Sequence, residues 1–124
     1  MSYFSKKIIS WQKINGRNNL PWQAKSPYHV WISEIMLQQT QVKTVIPYFE
    51  RFIKKFPNIP TLAEANQDDI LSLWSGLGYY SRARNIHKTA IILKSDFNSL
   101  LPPSLNQLIE LPGIGRSTAG ALLS

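Results

Sequence analysis

The sequence predicts an all-α fold, a compact orthogonal bundle of short helices. Apolar residues recur at intervals of three and four along nearly the whole chain, whereas the strict alternation of a half-buried strand is missing. The chain has 124 residues, of which 44% are hydrophobic, so it can bury the core of one compact domain. Glycine and proline separate the apolar stretches into about seven or eight helices.

The first part of the chain predicts two helices joined by a polar loop. The apolar stripe of the first helix is formed by Phe4, Ile8 and Trp11. We assign this helix to residues 1–15 and the helical domain proper to residues 16–124. Ser26 predicts the cap of the second helix, with Pro27 at its first position, because proline there has no amide to leave unpaired.

The middle of the chain predicts one long amphipathic helix followed by two shorter ones. The apolar face of the long helix is formed by Val42, Val45, Ile46, Phe49, Phe52, Ile53 and Phe56. Pro57 ends it. Thr61 and Glu64 have the spacing of a capping box and predict the start of a short helix. Asn66 predicts the cap of the next helix, which has two aspartates in its first turn, where the helix dipole favours negative charge.

The C-terminal part predicts three helices separated by turns. A basic helix follows residues 76–78, another helix starts at Ser104, and the last begins near Arg116 after a Leu-Pro-Gly-Ile-Gly turn. We therefore assign two helices and the turn between them to residues 104–124. The final residues carry no capping signal, so we expect the chain to stop within a helix, before the fold is complete.

Charge and composition narrow the functional classes. Fourteen Lys and Arg against seven Asp and Glu give a net charge of +7, which favours a polyanionic partner such as nucleic acid over ordinary surface charge. Cysteine is absent and only two histidines are present, so disulfides are excluded and a metal site is not expected. The sequence shows neither a secretory signal nor an apolar run of the roughly 18 residues that a membrane helix needs. We expect a cytoplasmic or nucleoid-associated protein.

Glu34 is the acidic residue that helix capping and solvation explain least. It lies in the segment WISEIMLQQT, with apolar residues on both sides. Burial would raise the pKa of its carboxyl, which is the condition for a general acid near neutral pH. On the pattern alone, a partly exposed helix glutamate fits equally well.

The segment LPGIGRSTAGA, residues 111–121, predicts an anion-binding turn between two helices. Gly113 and Gly115 allow a phosphate to approach the backbone, and Arg116 adds positive charge where the last helix opens. A tight glycine turn between core helices is the alternative interpretation.

The segment GLGYYSRARNIHK, residues 76–88, places two tyrosines before a basic helix. Tyr79 next to Arg82 suits stacking or wedging against bases with phosphate contacts alongside, although one of the two tyrosines could belong to the core. Trp22 also has two possible interpretations: it is either an anchor in the core or an aromatic wall for a flipped base.

Together, these segments resemble the A/G-specific adenine DNA glycosylases, a family of helix-hairpin-helix base-excision repair enzymes, and the resemblance covers essentially all 124 residues. It implies that the substrate is double-stranded DNA with adenine mispaired with guanine or oxoguanine. It implies that Glu34 is the catalytic acid, that Gln39 enters the base stack with Tyr79 as a wedge, and that Trp22 lies near the adenine pocket. The DNA contacts it implies are Gln38, Gln39, Thr40, Tyr79, Arg82, Gly113, Gly115, Arg116 and Ser117.

Ser117 stands where the related glycosylase/lyases for oxidised pyrimidines carry a nucleophilic lysine. Because serine cannot form a Schiff base, the resemblance implies a monofunctional hydrolase. Three family features are missing from the 124 residues: an aspartate after the hairpin, the cysteines of a [4Fe–4S] cluster, and a C-terminal domain. The resemblance therefore implies the N-terminal portion of an enzyme that is monomeric at full length. A non-catalytic helix-hairpin-helix DNA-binding module is the alternative.

Overall fold

A computed structural model describes residues 26–38 and 40–124 of the chain, and these residues form seven α-helices. They are α1 (Pro27–Met36), α2 (Val42–Lys55), α3 (Ile59–Ala63), α4 (Gln67–Trp74), α5 (Tyr80–Asp96), α6 (Leu105–Ile109) and α7 (Arg116–Leu122). The described residues contain no strand, which confirms the predicted all-α fold. The predicted first helix, Trp22 and Gln39 lie outside the described residues.

Three predicted helix starts are confirmed by their caps. The Ser26 hydroxyl accepts a hydrogen bond from the His29 amide at the start of α1. At the start of α6, the Ser104 hydroxyl accepts one from the Gln107 amide. The Asn66 side-chain oxygen accepts from the Asp68 amide at 2.9 Å, which caps α4. Each cap satisfies an amide that the first helical turn leaves without a backbone partner.

The predicted capping box at Thr61 and Glu64 is wrong. Helix α3 begins earlier, at Ile59, and its cap is Asn58, whose side-chain oxygen accepts from the Thr61 amide at 3.0 Å and from the Thr61 hydroxyl at 2.7 Å. Glu64 lies at the other end of this helix, where its carboxylate pairs with Lys94 of α5. A stronger cap three residues upstream therefore displaced the predicted one.

The core lies where α1, α2, α4 and α5 meet. Helix α1 packs against α2 and α7, α5 packs against α3 and α4, and α6 packs against α7. Phe52 lies between Phe56 and Trp74, with ring centroids 5.3 and 6.0 Å away in edge-to-face geometry. The largest side chains that are fully enclosed are Trp31, Trp74, Phe49, Phe52, Ile32, Met36, Leu62, Ile70, Ile86, Leu93 and Leu108. Among the described helices, none is both long enough and apolar enough to cross a membrane.

Tyr28 joins the start of α1 to the end of α2. Its buried hydroxyl donates a hydrogen bond of 2.6 Å to the carbonyl of Phe56, the residue that follows the last turn of α2. Burial raises the pKa of Tyr28 far above its ordinary value, so the phenol keeps the proton that it donates. The contact fixes the orientation of α1, the helix that carries Glu34.

Replacing Tyr28 by Phe removes this donor and leaves the Phe56 carbonyl buried without it. We expect the free energy of unfolding to fall by about 1–3 kcal/mol, measured by urea denaturation of the chain. Tyr80→Phe is the matched control, because that tyrosine is exposed and its loss of a hydroxyl should change stability by less than about 0.5 kcal/mol. Equal effects of the two variants would contradict the role of the Tyr28 hydrogen bond.

Candidate functional site

Glu34 is buried in the last part of α1, with 5% of its surface exposed. Its neighbours along the helix, Trp31, Ile35 and Met36, are buried as well. Of the two alternatives that the sequence left open, the partly exposed helix glutamate is therefore excluded. A buried carboxyl is the kind of group that enzymes use as a proton donor.

The chain turns immediately after α1 and exposes polar side chains there. The Gln38 amide donates to the Ile35 carbonyl at 3.3 Å and the Thr40 amide to the Leu37 carbonyl at 3.4 Å. Gln38 is exposed and Thr40 is half-buried. The predicted contact residues Gln38 and Thr40 thus lie at the surface, in the turn that follows the helix of the buried Glu34.

Tyr79 is presented by a loop of unusual backbone conformation. Gly76, Gly78 and Tyr79 have φ values of 99°, 77° and 54°. A side chain at Gly76 would place its Cβ 2.0 Å from the Tyr48 hydroxyl, and the Trp74 indole donates to the Gly78 carbonyl at 3.1 Å. A tyrosine in the left-handed region costs about 1–3 kcal/mol, so the neighbouring contacts must hold it there.

Neither of the two adjacent tyrosines belongs to the core. Tyr79 is 57% exposed and Tyr80 is 41% exposed, so the alternative that one of them is a core residue is wrong. An aromatic ring exposed to this degree, on a loop with a fixed backbone, is available to stack against a flat partner such as a base.

Arg82 connects this loop to the end of α1. Its Nη1 donates to the Ile35 carbonyl at 3.0 Å and also to the Gln38 carbonyl, and its Cζ lies 4.4 Å from the centroid of the Tyr79 ring. Burial lowers the pKa of Arg82, while the nearby Tyr79 opposes that shift. Sequence reasoning missed these carbonyl contacts, because a basic residue in a helix carries no signal of a partner about 45 residues away.

The turn between α6 and α7 rests on α5. The Thr89 hydroxyl donates to the Pro112 carbonyl at 2.7 Å, and a Cβ added at Gly113, where φ is 80°, would lie 3.0 Å from the Asn85 Cβ. Arg82, Asn85 and Thr89 are spaced three and four residues apart and so share one face of α5, which we call the α5 polar stripe. This stripe was not foreseen from the sequence.

The predicted phosphate-binding residues of the turn are at the surface. They are Gly113, Gly115, Arg116 and Ser117. Gly115 precedes the first turn of α7, and no side chain caps that turn. The first amides of α7 are therefore open to an external acceptor.

A cavity of about 120 Å³ lies between the end of α1, the α5 polar stripe and the turn. Its apolar floor is formed by Trp31, Ile35 and Ile86, and its polar side chains by Gln38, Arg82 and Asn85, with Gly113 at its edge. The predicted contact regions of α1, α5 and the turn therefore meet on one side of the molecule.

Two helices joined through a glycine turn, packed against a helix with a buried carboxyl, define the helix-hairpin-helix class of DNA-binding domain. The chain belongs to the HhH-GPD superfamily of base excision DNA repair proteins, whose family model matches residues 32–121. It is 64% identical over 122 residues to the adenine DNA glycosylase of Buchnera aphidicola subsp. Baizongia pistaciae (strain Bp). It is 40% identical over 131 residues to the adenine DNA glycosylase of Rattus norvegicus.

The chain spans about a third or less of the length of these relatives. The alignments cover 98% of the chain, but 35% of the Buchnera protein and 25% of the rat protein. The activity and substrates of the full-length relatives therefore apply to this chain only as a proposal.

The fold is also found in solved structures of DNA glycosylases. A thermostable thymine-DNA glycosylase matches with a TM-score of 0.78 at 24% identity, over 86% of this chain and 50% of that one. Endonuclease III in a non-covalent DNA complex matches with a TM-score of 0.77 at 21% identity, over 100% of this chain and 60% of that one. At these identities the comparison establishes the shared fold.

The residues of this chain do not fit an iron–sulfur cluster. No cysteine occurs among the 124 residues, and within the described ranges no three His, Asp or Glu side chains converge as metal ligands. No step of the chemistry is therefore assigned to such a cluster.

The two glycines of the turn should respond differently to alanine. Gly113→Ala forces a positive φ on alanine and drives its Cβ against Asn85, so we expect a loss of about 1–3 kcal/mol in the free energy of unfolding. Gly115 has φ −93° and open space around it, so Gly115→Ala is the matched control and should leave stability nearly unchanged. Urea denaturation of both variants measures the difference. A Gly115 variant as unstable as the Gly113 variant would contradict this geometry.

Proposed function

We propose that this chain is the N-terminal portion of a monofunctional DNA glycosylase that removes adenine mispaired with guanine or oxoguanine in duplex DNA. The observation that carries the proposal is the burial of Glu34 on α1, the helix whose end lines a cavity together with the α5 polar stripe and with Gly113 of the turn. The identity to adenine DNA glycosylases supports the choice of base. The proposal includes a monomeric full-length protein that acts on the chromosome in the cytoplasm.

Glu34 is proposed to act as the general acid. With the adenosine flipped out of the helix, its carboxyl donates a proton to adenine N7, so the base leaves as a neutral molecule when the C1′–N9 bond breaks. The sugar keeps a positive charge that is shared between C1′ and the ring oxygen, and water adds to C1′ with loss of a proton. The resemblance implies an aspartate C-terminal to the hairpin as the carboxylate that stabilises this cation.

The remaining predicted residues hold the DNA in this proposal. Tyr79 and Gln39 enter the base stack at the mispair, and Trp22 lines the adenine pocket. Phosphate contacts position the duplex without reading its sequence. They are assigned to Gly113, Gly115, Arg116 and Ser117, with Gln38 and Thr40 beside the mispair.

A DNA-binding module without catalysis is the second candidate. It rests on the turn before α7 alone, where Gly113, Gly115 and Arg116 are exposed and no side chain caps the first turn of α7. An excision assay separates the two candidates, because both bind duplex DNA but only a glycosylase releases free adenine.

The assay is best made in a full-length context, in a chimera whose segment of the Buchnera aphidicola (Baizongia) relative is replaced by the matching residues of this chain. In that chimera, Glu34→Gln removes the transferable proton and preserves the shape of the side chain. We expect adenine release from an A:oxoguanine duplex to fall by about 10²–10⁴-fold while binding of the duplex is retained.

Glu50→Gln is the matched control, because Glu50 is exposed on α2 and the change of charge is the same. Its excision rate should equal that of the unmodified chimera. Normal turnover by the Glu34 variant would overturn the assignment of the acid, and a chimera that binds but never releases adenine would favour the non-catalytic module.

Ser117 generates a second prediction for the same chimera. Because a hydroxyl cannot form a Schiff base, borohydride present during turnover should trap almost no covalent protein–DNA adduct. Ser117→Lys should increase trapping, since it places an amine near C1′. The trapped endonuclease III complex shows that such an adduct forms in a protein of this fold, so that enzyme is the positive control. Strong trapping by the unmodified chimera would contradict the monofunctional mechanism.

A further inference from the structure

The Arg82 side chain touches both the end of the Glu34 helix and the Tyr79 ring. Its Nη1 donates to the carbonyls of Ile35 and Gln38, and its Cζ lies 4.4 Å from the centroid of the Tyr79 ring. One guanidinium therefore spans two regions that the proposed function places against the DNA bases.

The contacts at α1 suit an arginine better than any other cation. The last turn of α1 contains no basic residue of its own, so the negative end of its dipole is met by a cation from α5. A planar guanidinium can donate within its plane to two carbonyls while its face lies on an aromatic ring. An ammonium group carries the same charge but has no planar face to stack, so it cannot maintain both contacts in this way.

The contacts at Tyr79 fix both its backbone and its ring. The Arg82 amide donates to the Tyr79 carbonyl at 3.0 Å, and the Arg82 side chain covers the ring. Tyr79 is 57% exposed, so few other protein atoms restrain the ring. Its orientation in the free protein therefore depends on the guanidinium that stacks on it.

We propose that Arg82 is a positioning residue that holds the Tyr79 ring in register with the polar turn after α1 before DNA is bound. It acts through Tyr79 and through the carbonyls of Ile35 and Gln38, and it does not touch the reacting atoms. The DNA side of this inference rests on the proposed function, whereas the connection between the two segments is a property of the free protein.

A phosphate contact, the role predicted for Arg82 from the sequence, makes different demands on the side chain. It needs a guanidinium directed to solvent, whereas Nη1 here is directed to two protein carbonyls and burial lowers the pKa of the group. The two roles predict different effects of Arg82→Lys. A phosphate accepts hydrogen bonds from either cation, whereas the combined contact with two carbonyls and the Tyr79 ring needs a guanidinium.

The first test needs no DNA and uses hydrogen exchange in the chimera. Arg82→Lys keeps the charge but removes the planar fork, so amides in residues 37–41 and 79–82 should exchange faster, with the rest of the domain unchanged. Arg51→Lys is the matched control, because it removes an exposed guanidinium that lies 4.7 Å over the Tyr48 ring on α2. Unchanged exchange in both segments, or faster exchange throughout the domain, would overturn the positioning role.

The second test measures excision in single turnovers. We expect Arg82→Lys to release adenine about 10–100-fold more slowly, with unchanged affinity for a duplex that carries non-cleavable 2′-fluoroadenosine. In a Tyr79→Ala variant, adding Arg82→Lys should slow adenine release by a clearly smaller factor than Arg82→Lys does in the unmodified chimera, because the two residues act together. Full activity of the lysine variant would overturn the proposal. So would a log–log salt slope that Arg82→Gln lowers by about one unit, since that marks a phosphate contact.

The two tests separate this inference from the function on which its DNA side rests. If the unmodified chimera releases no adenine, the proposed function fails, and the exchange experiment still decides whether Arg82 joins the two segments. If the unmodified chimera is active and both tests give no effect, the positioning role alone fails.

Discussion

The α5 polar stripe is the constraint on which the candidate site depends. Arg82 meets the end of α1, Asn85 lies against Gly113, and Thr89 holds the Pro112 carbonyl. Three positions on one face of α5 thus contact the end of α1, the Tyr79 ring and the turn between α6 and α7. Because α5 is itself packed against α3 and α4, these three parts share one support, and α1 also packs directly against α7.

This arrangement places a buried carboxyl and exposed polar side chains within a few residues of one another. Glu34 is buried near the end of α1, whereas Gln38, in the turn just after the helix, is exposed. The chain thus passes from core to surface at the end of α1, where the carbonyls of Ile35 and Gln38 accept hydrogen bonds from Arg82 of α5.

The sequence predicted those parts of the fold that local chemistry determines. The caps at Ser26, Asn66 and Ser104 and the glycine turn before Arg116 are signals contained within a few residues. Thr61 was misjudged as a cap because Asn58 starts the helix three residues earlier, and its side-chain oxygen accepts from both the amide and the hydroxyl of Thr61. A pattern alone does not decide between two neighbouring caps. The burial of Glu34 and the partners of Arg82 depend on helices distant in sequence, so spacing could raise these questions but not answer them.

The left-handed backbone of Tyr79 has a consequence for how this position varies among proteins of the fold. Glycine or asparagine would adopt φ 54° at lower cost, so selection for folding alone would replace the tyrosine. A tyrosine at this position therefore costs stability and in return presents an exposed ring. Glycine at this position would relieve the backbone cost and remove the ring in one step, so stability and exposed aromatic surface should change in opposite directions.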